Sequence, residues 1–337
     1  MSDSSRGLVL LTGASGFVGG AVMRQLLLVG YEVRALVRRP REFSPPPKVV
    51  TCPGDITDLD SVVVAARGCD SVIHCAADYR LSLRARDVNS MIAVNVGGTA
   101  TVLRAAHQAG VRRVVHCSTV GTLAFERSGR ICSETNSAPS PALLAGPYKR
   151  TKWAAERLAL DHAPDALEVV VVQPSTPVGL GDHRPTPTGQ TIRDFLAGKI
   201  PAVVETGLNL VAVDAVANGH LLALERGVAG RTYILGDRNL TLRQLLGQVA
   251  EIAGVAPPRW RVPLGIAFAA AIASEARGRV ERRAPGISLT SVRMAAHPMY
   301  VDSQRAQSEL GWRPGDLSLA LRQSIGELIP ASRTPVG

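Results

Sequence analysis

The chain has 337 residues, of which 46% are hydrophobic and 20% are charged. This length predicts a large domain with a smaller one, and the composition is typical of a protein that folds in water. The formal net charge is +10, but the basic residues are scattered and form no long block of like charge. We therefore expect no nucleic-acid partner and favour a basic surface with an anion-binding cleft.

Five cysteines occur without a CxxC pair, and the seven histidines show no spacing typical of metal ligands. These patterns predict reduced thiols, a cytoplasmic location and no metal ion. The polar residues before Gly7 are too few for a secretory signal. The longest apolar runs are shorter than the roughly 20 residues that a membrane span needs.

Short apolar runs alternate with amphipathic segments through the first half of the chain. In chain order, the pattern predicts a strand at 7–12, a helix at 17–30, strands at 32–37 and 48–52, a helix at 61–68, a strand at 71–77, a helix at 88–110, a strand at 112–119, a helix at 147–163 and a strand at 168–174. Strands and helices that alternate in this way form a parallel sheet covered on both faces. The predicted fold class is therefore α/β, a doubly wound parallel sheet of the Rossmann type.

After residue 175 the alternation loosens, and prolines and glycines cluster in QPSTPVGLGDHRPTPTGQ. Shorter elements follow at 209–227, 232–236 and 240–254. We predict a dinucleotide-binding domain over 1–175 and a smaller α/β substrate domain over 176–337, with some of its segments returning to the sheet domain.

A glycine-rich turn lies between the first strand and the first helix. Gly13, Gly16 and Gly19 recur at intervals of three residues. Such a turn lets the backbone approach a pyrophosphate, which then faces the free N–H groups of the helix N-terminus. Because glycines also serve tight turns and close packing, the GxxGxxG spacing is by itself a weak indication of nucleotide binding.

The end of the second strand indicates which nucleotide is bound. A carboxylate there binds the ribose 2′-hydroxyl of NAD, whereas an arginine suits the 2′-phosphate of NADP. This chain has Arg38 and Arg39 at that place and no acid. We therefore predict NADP(H) as the preferred cofactor, with NAD(H) as the alternative. Asp55, after the third strand, is in a position to meet the adenine amino group.

Tyr148 and Lys152 lie four residues apart, on one face of the predicted helix. A neighbouring ammonium lowers the pKa of a phenol from about 10, and proton exchange at neutral pH requires such help. No other tyrosine in the chain has a lysine at this spacing. A hydroxyl at the end of the fifth strand, Ser118 or Thr119, should face the same carbonyl group, and we favour Thr119.

TGxxGxxG near the N-terminus, a strand-end Ser/Thr and YxxxK together resemble the extended short-chain dehydrogenase/reductases of the NAD-dependent epimerase/dehydratase superfamily. Within that group, HCAADYRL, GPYKRTKWAAE, QPSTPVGLGDHRPTPTG and TGLNLVAVDAVANGHLLALERG resemble the hopanoid-associated sugar epimerase family, a relative of the dihydroflavonol 4-reductases. The resemblance covers nearly the whole chain. Family members commonly have two serines where this chain has Ser118 and Thr119, and Ser or Thr in place of Cys117.

The resemblance implies a set of cofactor contacts, each assigned by a matching motif. They are Gly13, Ser15, Gly16, Phe17 and Val18 at the pyrophosphate, Arg38 at the 2′-phosphate, Asp55 and Ile56 at the adenine, Ala76 and Ala77 at the end of the fourth strand, Asn95 behind the site, and Ser118, Tyr148, Lys152, Pro174, Ser175 and Thr176 toward the nicotinamide.

The substrate should lie at the carboxyl edge of the sheet, as ligands of open α/β sheets do. Candidate contacts are Asp78 in DYRL (78–81), and Arg184 and Thr188 in GDHRPTPTG (181–189). The second segment either folds over the cleft or is a rigid connector. The apolar segment 264–277 either packs into the smaller domain or, if the substrate is a lipid, rests on a membrane surface.

Three functions remain open at this point. We favour a carbonyl reductase that uses NADP(H) and a Thr119–Tyr148–Lys152 triad on a small-molecule substrate. The second is a nucleotide-sugar or hopanoid-associated sugar epimerase that retains its dinucleotide, and the third is a dinucleotide-sensing protein without catalysis. Arg38 favours the reductase, since NADPH is usually exchanged with the cellular pool, and the resemblance also implies a homodimer.

Overall fold

The structure is a computed structural model that describes residues 6–80, 85–161, 163–164, 166–200, 202–281 and 289–328. The strands are β1 (Leu8–Thr12), β2 (Glu32–Val37), β3 (Val49–Pro53), β4 (Ser71–His74), β5 (Arg113–Cys117), β6 (Glu168–Pro174), β7 (Thr176–Val178), β8 (Ala202–Val204), β9 (Gly207–Ala212), β10 (Thr232–Leu235), β11 (Arg238–Thr241) and β12 (Trp260–Val262).

The helices are α1 (Phe17–Leu28), α2 (Leu59–Ala66), α3 (Ala85–Ile92), α4 (Gly98–Gln108), α5 (Gly146–Asp161), α6 (Pro187–Leu196), α7 (Val213–Arg226), α8 (Leu242–Ala253), α9 (Leu264–Glu281), α10 (Leu289–Ala295) and α11 (Leu317–Leu328). Two π-helical turns occur at Ala93–Gly97 and Ala306–Leu310. Among the described residues, no helix combines the length and the apolar character that crossing a membrane would require.

Seven parallel strands form the main sheet, in the order β10-β6-β5-β4-β1-β2-β3. The chain order reverses between β1 and β4, so the two halves wind in opposite directions from that point. The crevice at the carboxyl ends of β1 and β4 is where ligands bind in sheets of this kind. The predicted α/β, doubly wound parallel sheet is therefore confirmed.

Two layers of apolar side chains bury the faces of this sheet. Helices α1 and α7 cover one face, with Val22 and Val216 in the same buried cluster as Val9 of β1. Helices α2, α4 and α5 cover the other face, where Val102 packs with Leu10. Because both faces are covered, the central strands lack the alternation of apolar and polar residues that a solvent-exposed sheet shows.

The predicted helix at 88–110 is interrupted in the structure. Helix α3 ends at Ile92, the π-helical turn inserts one extra residue per turn, and α4 begins at Gly98. Gly98 has no Cβ, and an added one would lie 2.6 Å from the Cδ1 atom of Ile56. This close packing sets the path of α4. The π turn directs the side chain of Asn95 toward the interior, and Asn95 is 2% exposed.

Residues from the second half of the chain complete the main sheet. Strand β10 pairs in parallel with β6, and α7 packs on α1 and on β5. Strands β7, β9 and β11 form a separate three-stranded sheet, and β8 pairs with β12. The main sheet and its covering helices therefore contain residues from both sides of the predicted division at residue 175.

Candidate active site

The glycine turn after β1 lies directly against the end of β4. Gly13 has φ +76°, and an added Cβ would lie 2.6 Å from the backbone nitrogen of Ala76. An added Cβ at Gly19 would lie 2.1 Å from the carbonyl oxygen of Gly13. Only glycine fits these two positions, because backbone occupies the space that a side chain would need.

The N-terminus of α1 begins at this turn without a side-chain cap. Gly16 is the N-cap residue and makes no side-chain hydrogen bond. The first N–H groups of α1, on Phe17 and Val18, are thus placed as a binding site for an anion at the β1–β4 crevice. Ser15 is exposed beside them.

The two basic residues after β2 have different surroundings. Arg39 pairs with Glu42 at 3.3 Å, whereas no described residue makes a hydrogen bond or ion pair with the exposed Arg38. Arg38 is therefore the guanidinium that remains available to a phosphate at this edge of the crevice.

The predicted adenine contacts lie after β3. One carboxylate oxygen of Asp55 accepts hydrogen bonds from the backbone N–H and the hydroxyl of Thr57, at 2.9 and 2.7 Å, and the other oxygen is left for a ligand. The side chain of Ile56 is buried against Gly98. A contact from Ile56 to an adenine would thus involve its backbone and not its side chain.

Tyr148 and Lys152 extend from the first turns of α5, as predicted. The rings of Tyr148 and Tyr79 meet edge to face, with their centroids 4.3 Å apart. No described residue makes a hydrogen bond to the Tyr148 hydroxyl. Lys152 is 3% exposed, and its ammonium donates a hydrogen bond to the carbonyl oxygen of Cys117 at 2.6 Å.

The electrostatics of this pair differ from the expectation. Burial, with the nearby Tyr79 and Cys117, raises the pKa of Tyr148 well above 10, although we expected Lys152 to lower it. Burial also lowers the pKa of Lys152, while Cys117 and Glu156 oppose that shift. The physical reason is burial, which disfavours the charged phenolate, while the Lys152 ammonium is hydrogen-bonded to the Cys117 carbonyl.

The two hydroxyls at the end of β5 serve different purposes. The Ser118 hydroxyl is buried and donates to Glu156, which also accepts hydrogen bonds from Thr122 at 3.1 Å and from Gln173 at 2.9 Å. This commitment argues against the predicted contact between the Ser118 hydroxyl and the cofactor. Thr119 is only half-buried, and its Oγ1 accepts a hydrogen bond from the Gly121 N–H at 3.1 Å.

Asn95 connects the loop after β4 to α5. Its Oδ1 accepts from the Asp78 N–H at 2.7 Å, and its Nδ2 donates to the Asp78 carbonyl at 3.1 Å and to Thr151 Oγ1 at 3.0 Å. These bonds fix the backbone next to Tyr79 against the residue next to Lys152. Asn95 therefore links these two segments, and the role behind the site that the resemblance implies stays a prediction.

The end of β6 presents an unsatisfied polar atom. Ser175 is 9% exposed, and its hydroxyl is buried without a hydrogen-bond partner among the described residues. Pro174 is buried before it, and Thr176 is half-buried after it. A buried hydroxyl without a partner is unfavourable unless a ligand satisfies it, so this position suits a polar group of a bound molecule.

The candidate substrate contacts are only partly brought together. The Asp78 carboxylate is already paired with Arg80, and Leu81 lies outside the described residues. Arg184 is exposed without a described partner, and Thr188 lies in the first turn of α6. Among the described residues, Arg184 is therefore a cation of the segment 181–189 that is left for a ligand, and its contact with the substrate stays a prediction.

The same segment is held by local hydrogen bonds and approaches the start of α1. Asp182 accepts hydrogen bonds from the backbone and the hydroxyl of Thr186 at 2.9 Å, and Thr186 caps α6 through the Gly189 N–H. An added Cβ on Gly181 would lie 4.0 Å from the Phe17 ring. The rigid-connector and cleft-border interpretations are thus compatible.

Cys75, Cys117 and His220 form a group that the sequence spacing did not reveal. Their ligand-type atoms all lie within 4.8 Å of one another. The Nδ1 atom of His220 bonds to the Val216 carbonyl at 2.8 Å, which leaves Nε2 to face the sulfurs. A hydrogen bond from Cys75 lowers the pKa of Cys117 and raises that of Cys75. The members come from two strands and a distant helix, so no local motif marks them.

The sequence analysis missed two further residues of the site. Tyr79 packs edge to face against Tyr148, and the buried Glu156 holds the end of β5 against α5. Glu156 lies four residues after Lys152, and that i,i+4 pairing was a usable signal. Tyr79 had no such signal, because its partner lies on a distant helix.

A parallel sheet with a glycine turn at its switch point, and a tyrosine–lysine helix beside it, together define a dinucleotide-dependent enzyme. Residues 9–236 match the NAD dependent epimerase/dehydratase family. The chain belongs to this family, and the protein is an NAD(P)-dependent enzyme of the short-chain dehydrogenase/reductase superfamily.

Several known sequences and solved structures resemble the chain along most of its length. The protein named "Putative dihydroflavonol 4-reductase" from Synechocystis sp. is 38% identical, over 94% of this chain and 92% of its own. Sterol demethylase protein B from Methylococcus capsulatus is 32% identical, over 94% and 96%. The crystal structure of gox2253 is 39% identical, covers 95% of this chain and 97% of its own, and superposes with a TM-score of 0.84.

Proposed function

We propose that the protein is an NADP(H)-dependent oxidoreductase that reduces a carbonyl group or oxidises the matching alcohol. The observation that carries this proposal is the free hydroxyl of Tyr148, which lies one helical turn from the buried ammonium of Lys152. A protein that only binds a dinucleotide has no need of a proton donor in this position.

The residues of the crevice fit a dinucleotide. Gly13 leaves the space that a pyrophosphate needs beside the uncapped N-terminus of α1. The Ser175 hydroxyl lacks a partner that a nicotinamide carboxamide would supply, and Arg38 is free for a 2′-phosphate. When bound, the reduced cofactor supplies the hydride that the reaction requires.

The protein's own side chains would manage the proton. In the reducing direction, the Tyr148 hydroxyl donates its proton to the carbonyl oxygen as the carbon gains the hydride. The Lys152 ammonium would stabilise the phenolate that is left once it exchanges the Cys117 carbonyl for the phenolate oxygen. Thr119 Oγ1 orients the substrate oxygen with a hydrogen bond, since it is the less committed of the two strand-end hydroxyls.

The raised pKa of Tyr148 is compatible with a role as the proton donor in reduction. The phenol is protonated in the state that the structure describes, so the proton that reduction consumes is already in place. Oxidation of an alcohol needs the phenolate, which becomes available only as the pH rises. The names of two relatives refer to a flavonoid and to a sterol, and these names support a substrate with an apolar ring system.

One experiment tests the reaction class. The purified protein is denatured and the released nucleotide is identified, and fresh protein is then assayed with NADPH against flavonoid ketones, steroid ketones and nucleotide sugars. We expect little bound nucleotide and NADPH consumption in proportion to alcohol formed from a ring ketone. Tightly bound NAD, with a nucleotide sugar inverted at one carbon and no NADPH consumed, would show that the protein is an epimerase.

A further inference from the structure

A cavity of about 450 Å³ opens beside the start of α5. Gly146, Lys149 and Arg150 of this helix line it, and they are close in sequence to Tyr148. Large apolar side chains from two loops and from helices α9 and α10 line it: Leu123, Phe125, Leu144, Phe268 and Met294. The reaction proposed above makes no use of this cavity.

The charged groups that line the cavity all have the same sign. Arg127, Arg150 and Arg293 are exposed at its edge, Lys149 is buried within it, and His297 is the remaining titratable group. No described lining residue carries a carboxylate. The electrostatic potential in the cavity is therefore positive, and this potential opposes the charge of Lys149 and attracts an anion.

Lys149 is the unusual member of this set because its ammonium is buried without a good acceptor among the described residues. The residue is 9% exposed, and within the described part of the chain its Nζ contacts the Met299 sulfur, at 3.3 Å, and the Phe125 ring, at 6.0 Å from the centroid. A thioether is a weak acceptor, and buried ammonium groups are normally paired. Burial accordingly lowers the pKa of Lys149 to about 8.

We propose that this cavity binds an apolar molecule that carries one acidic group, a carboxylate, sulfonate or phosphate, and that Lys149 pairs with that group. The anion would provide the partner that the ammonium lacks, and the five apolar side chains would cover the body of the molecule. The hydride-transfer steps do not depend on this proposal. The acidic group belongs either to a part of the substrate remote from the carbonyl or to a separate effector.

Two fluorescent probes that differ in one acidic group test this proposal. 1-Anilinonaphthalene-8-sulfonate carries a sulfonate, and N-phenyl-1-naphthylamine has the same ring system without it. We expect Lys149→Met to weaken binding of the sulfonate at least tenfold and to leave the neutral probe within twofold. Arg150→Met, which removes an exposed charge from the same helix and cavity, is the matched control and should weaken the sulfonate less than threefold.

A pH titration separates the charge of Lys149 from its shape. The sulfonate is ionised throughout and the arginines do not titrate, so its binding to the unaltered protein should weaken as the pH rises through about 8. The Lys149→Met protein should show no such change, and Lys149→Arg should keep the affinity at higher pH. If the Lys149→Met protein does not fold, the comparison of Lys149→Arg with the unaltered protein across this pH range is the test.

Equal loss of both probes in folded Lys149→Met, or no loss of either, would overturn the proposal. Tyr148→Phe should leave the binding of both probes unchanged, so a failure here is distinct from a failure of the proposed reaction. Competition between the sulfonate and a ketone substrate would place the acidic group on the substrate, whereas inhibition without competition would indicate a separate ligand.

Discussion

The chemistry of this site depends on which polar side chains are already engaged and which are free. Ser118 and Thr119 are neighbours, yet only the first is bound in a buried network with Glu156. Arg38 and Arg39 are also neighbours, yet among the described residues only the second has a carboxylate partner. In each pair, the residue without a strong partner is the one available to a ligand.

Removal of single hydroxyls tests the first distinction. Tyr148→Phe should keep dinucleotide affinity and lower kcat by about a hundredfold to ten-thousandfold, the usual range for general acid–base catalysis. Thr119→Val should lower kcat comparably while the fold persists. Ser118→Ala should instead lower the melting temperature, because it leaves the buried Glu156 short of a donor. If Ser118→Ala causes the larger loss of kcat in a stable protein, the roles of the two residues must be exchanged.

Arg38 and Arg39 form a matched pair for cofactor selection. A charge-assisted contact to phosphate contributes about 1.5 to 3 kcal/mol, so Arg38→Ala should weaken NADPH binding by roughly tenfold or more. Its NADH affinity should hardly change, and Arg39→Ala should affect both cofactors little, since Arg39 is paired with Glu42. Calorimetric titration of both dinucleotides decides the matter. Equal losses for NADPH and NADH in Arg38→Ala would contradict this assignment.

Buried histidines beneath the site should make stability depend on pH. Thr12 and Thr99 flank the His74 ring, and burial, followed by the charge of Lys152, lowers the pKa of His74 to about 3. The unfolded chain therefore takes up the proton more readily, so this stability is complete above about pH 6.5 and is lost as the pH falls toward 3. The loss is about 1.4 kcal/mol for each pH unit in that window.

Urea unfolding at pH 7.0 and pH 5.5 measures this effect. His116, which is buried beside His74 and also has a lowered pKa, adds to the same loss. His74→Gln should reduce the difference between the two pH values, whereas His183→Gln should leave it unchanged because His183 is exposed. An equal pH dependence in all three proteins would exclude His74 as its source.

At the scale of elements, the β1–α1 turn and the π-helical turn determine where ligands can approach. The glycine turn brings α1 within contact distance of the β4 end, and the π turn directs Asn95 toward the loop that carries Tyr79. Both are departures from regular geometry that occur beside the proposed reaction centre.

Two adjacent glycines in α1 test the importance of this close approach. Gly19→Ala should destabilise the protein and abolish dinucleotide binding, because the new Cβ would meet the Gly13 carbonyl oxygen at 2.1 Å. Gly20→Ala is the control, since its Cβ would lie 3.4 Å from the nearest atom. Alanine is the better helix former by up to about 1 kcal/mol, so this variant should be as stable as the parent or more so. Thermal unfolding and NADPH titration of both variants give the answer, and similar behaviour of the two would contradict it.

At the scale of the whole molecule, the two halves of the chain share one core. Strand β10 extends the main sheet, and α7 from the second half covers β5. Trp312 is fully buried, and its indole N–H donates to the Ala215 carbonyl at the start of α7, at 2.8 Å. This hydrogen bond attaches the segment after residue 300 to α7, which covers one face of the main sheet.

This shared core predicts a single unfolding transition. In a Trp153→Phe, Trp260→Phe protein, Trp312 is the remaining tryptophan and its fluorescence reports the second half of the chain. Circular dichroism reports the whole chain. We expect the urea unfolding curves from the two signals to have the same midpoint. An earlier midpoint for Trp312 would mean that the second half unfolds separately, and would support the division at residue 175 as a boundary between independent domains.

The sequence by itself determined the class of fold, the glycine turn, the Tyr148–Lys152 pair and the place of Arg38. These features depend on local patterns: apolar runs, helical spacing and residues at strand ends, each confined to a few neighbouring positions. The family resemblance further placed Asn95 behind the site. Such signals are strong where one element carries the whole pattern.

Only the tertiary structure decided which of these groups are engaged and what surrounds them. The partner of Lys152 is a backbone carbonyl on β5, the partner of Tyr148 is Tyr79, and Lys149 has no anionic partner among the described residues. The joining of β10 to β6 likewise connects residues far apart in the chain. Burial and hydrogen bonding between distant segments set the pKa of each group, and no local pattern in the sequence records those contacts.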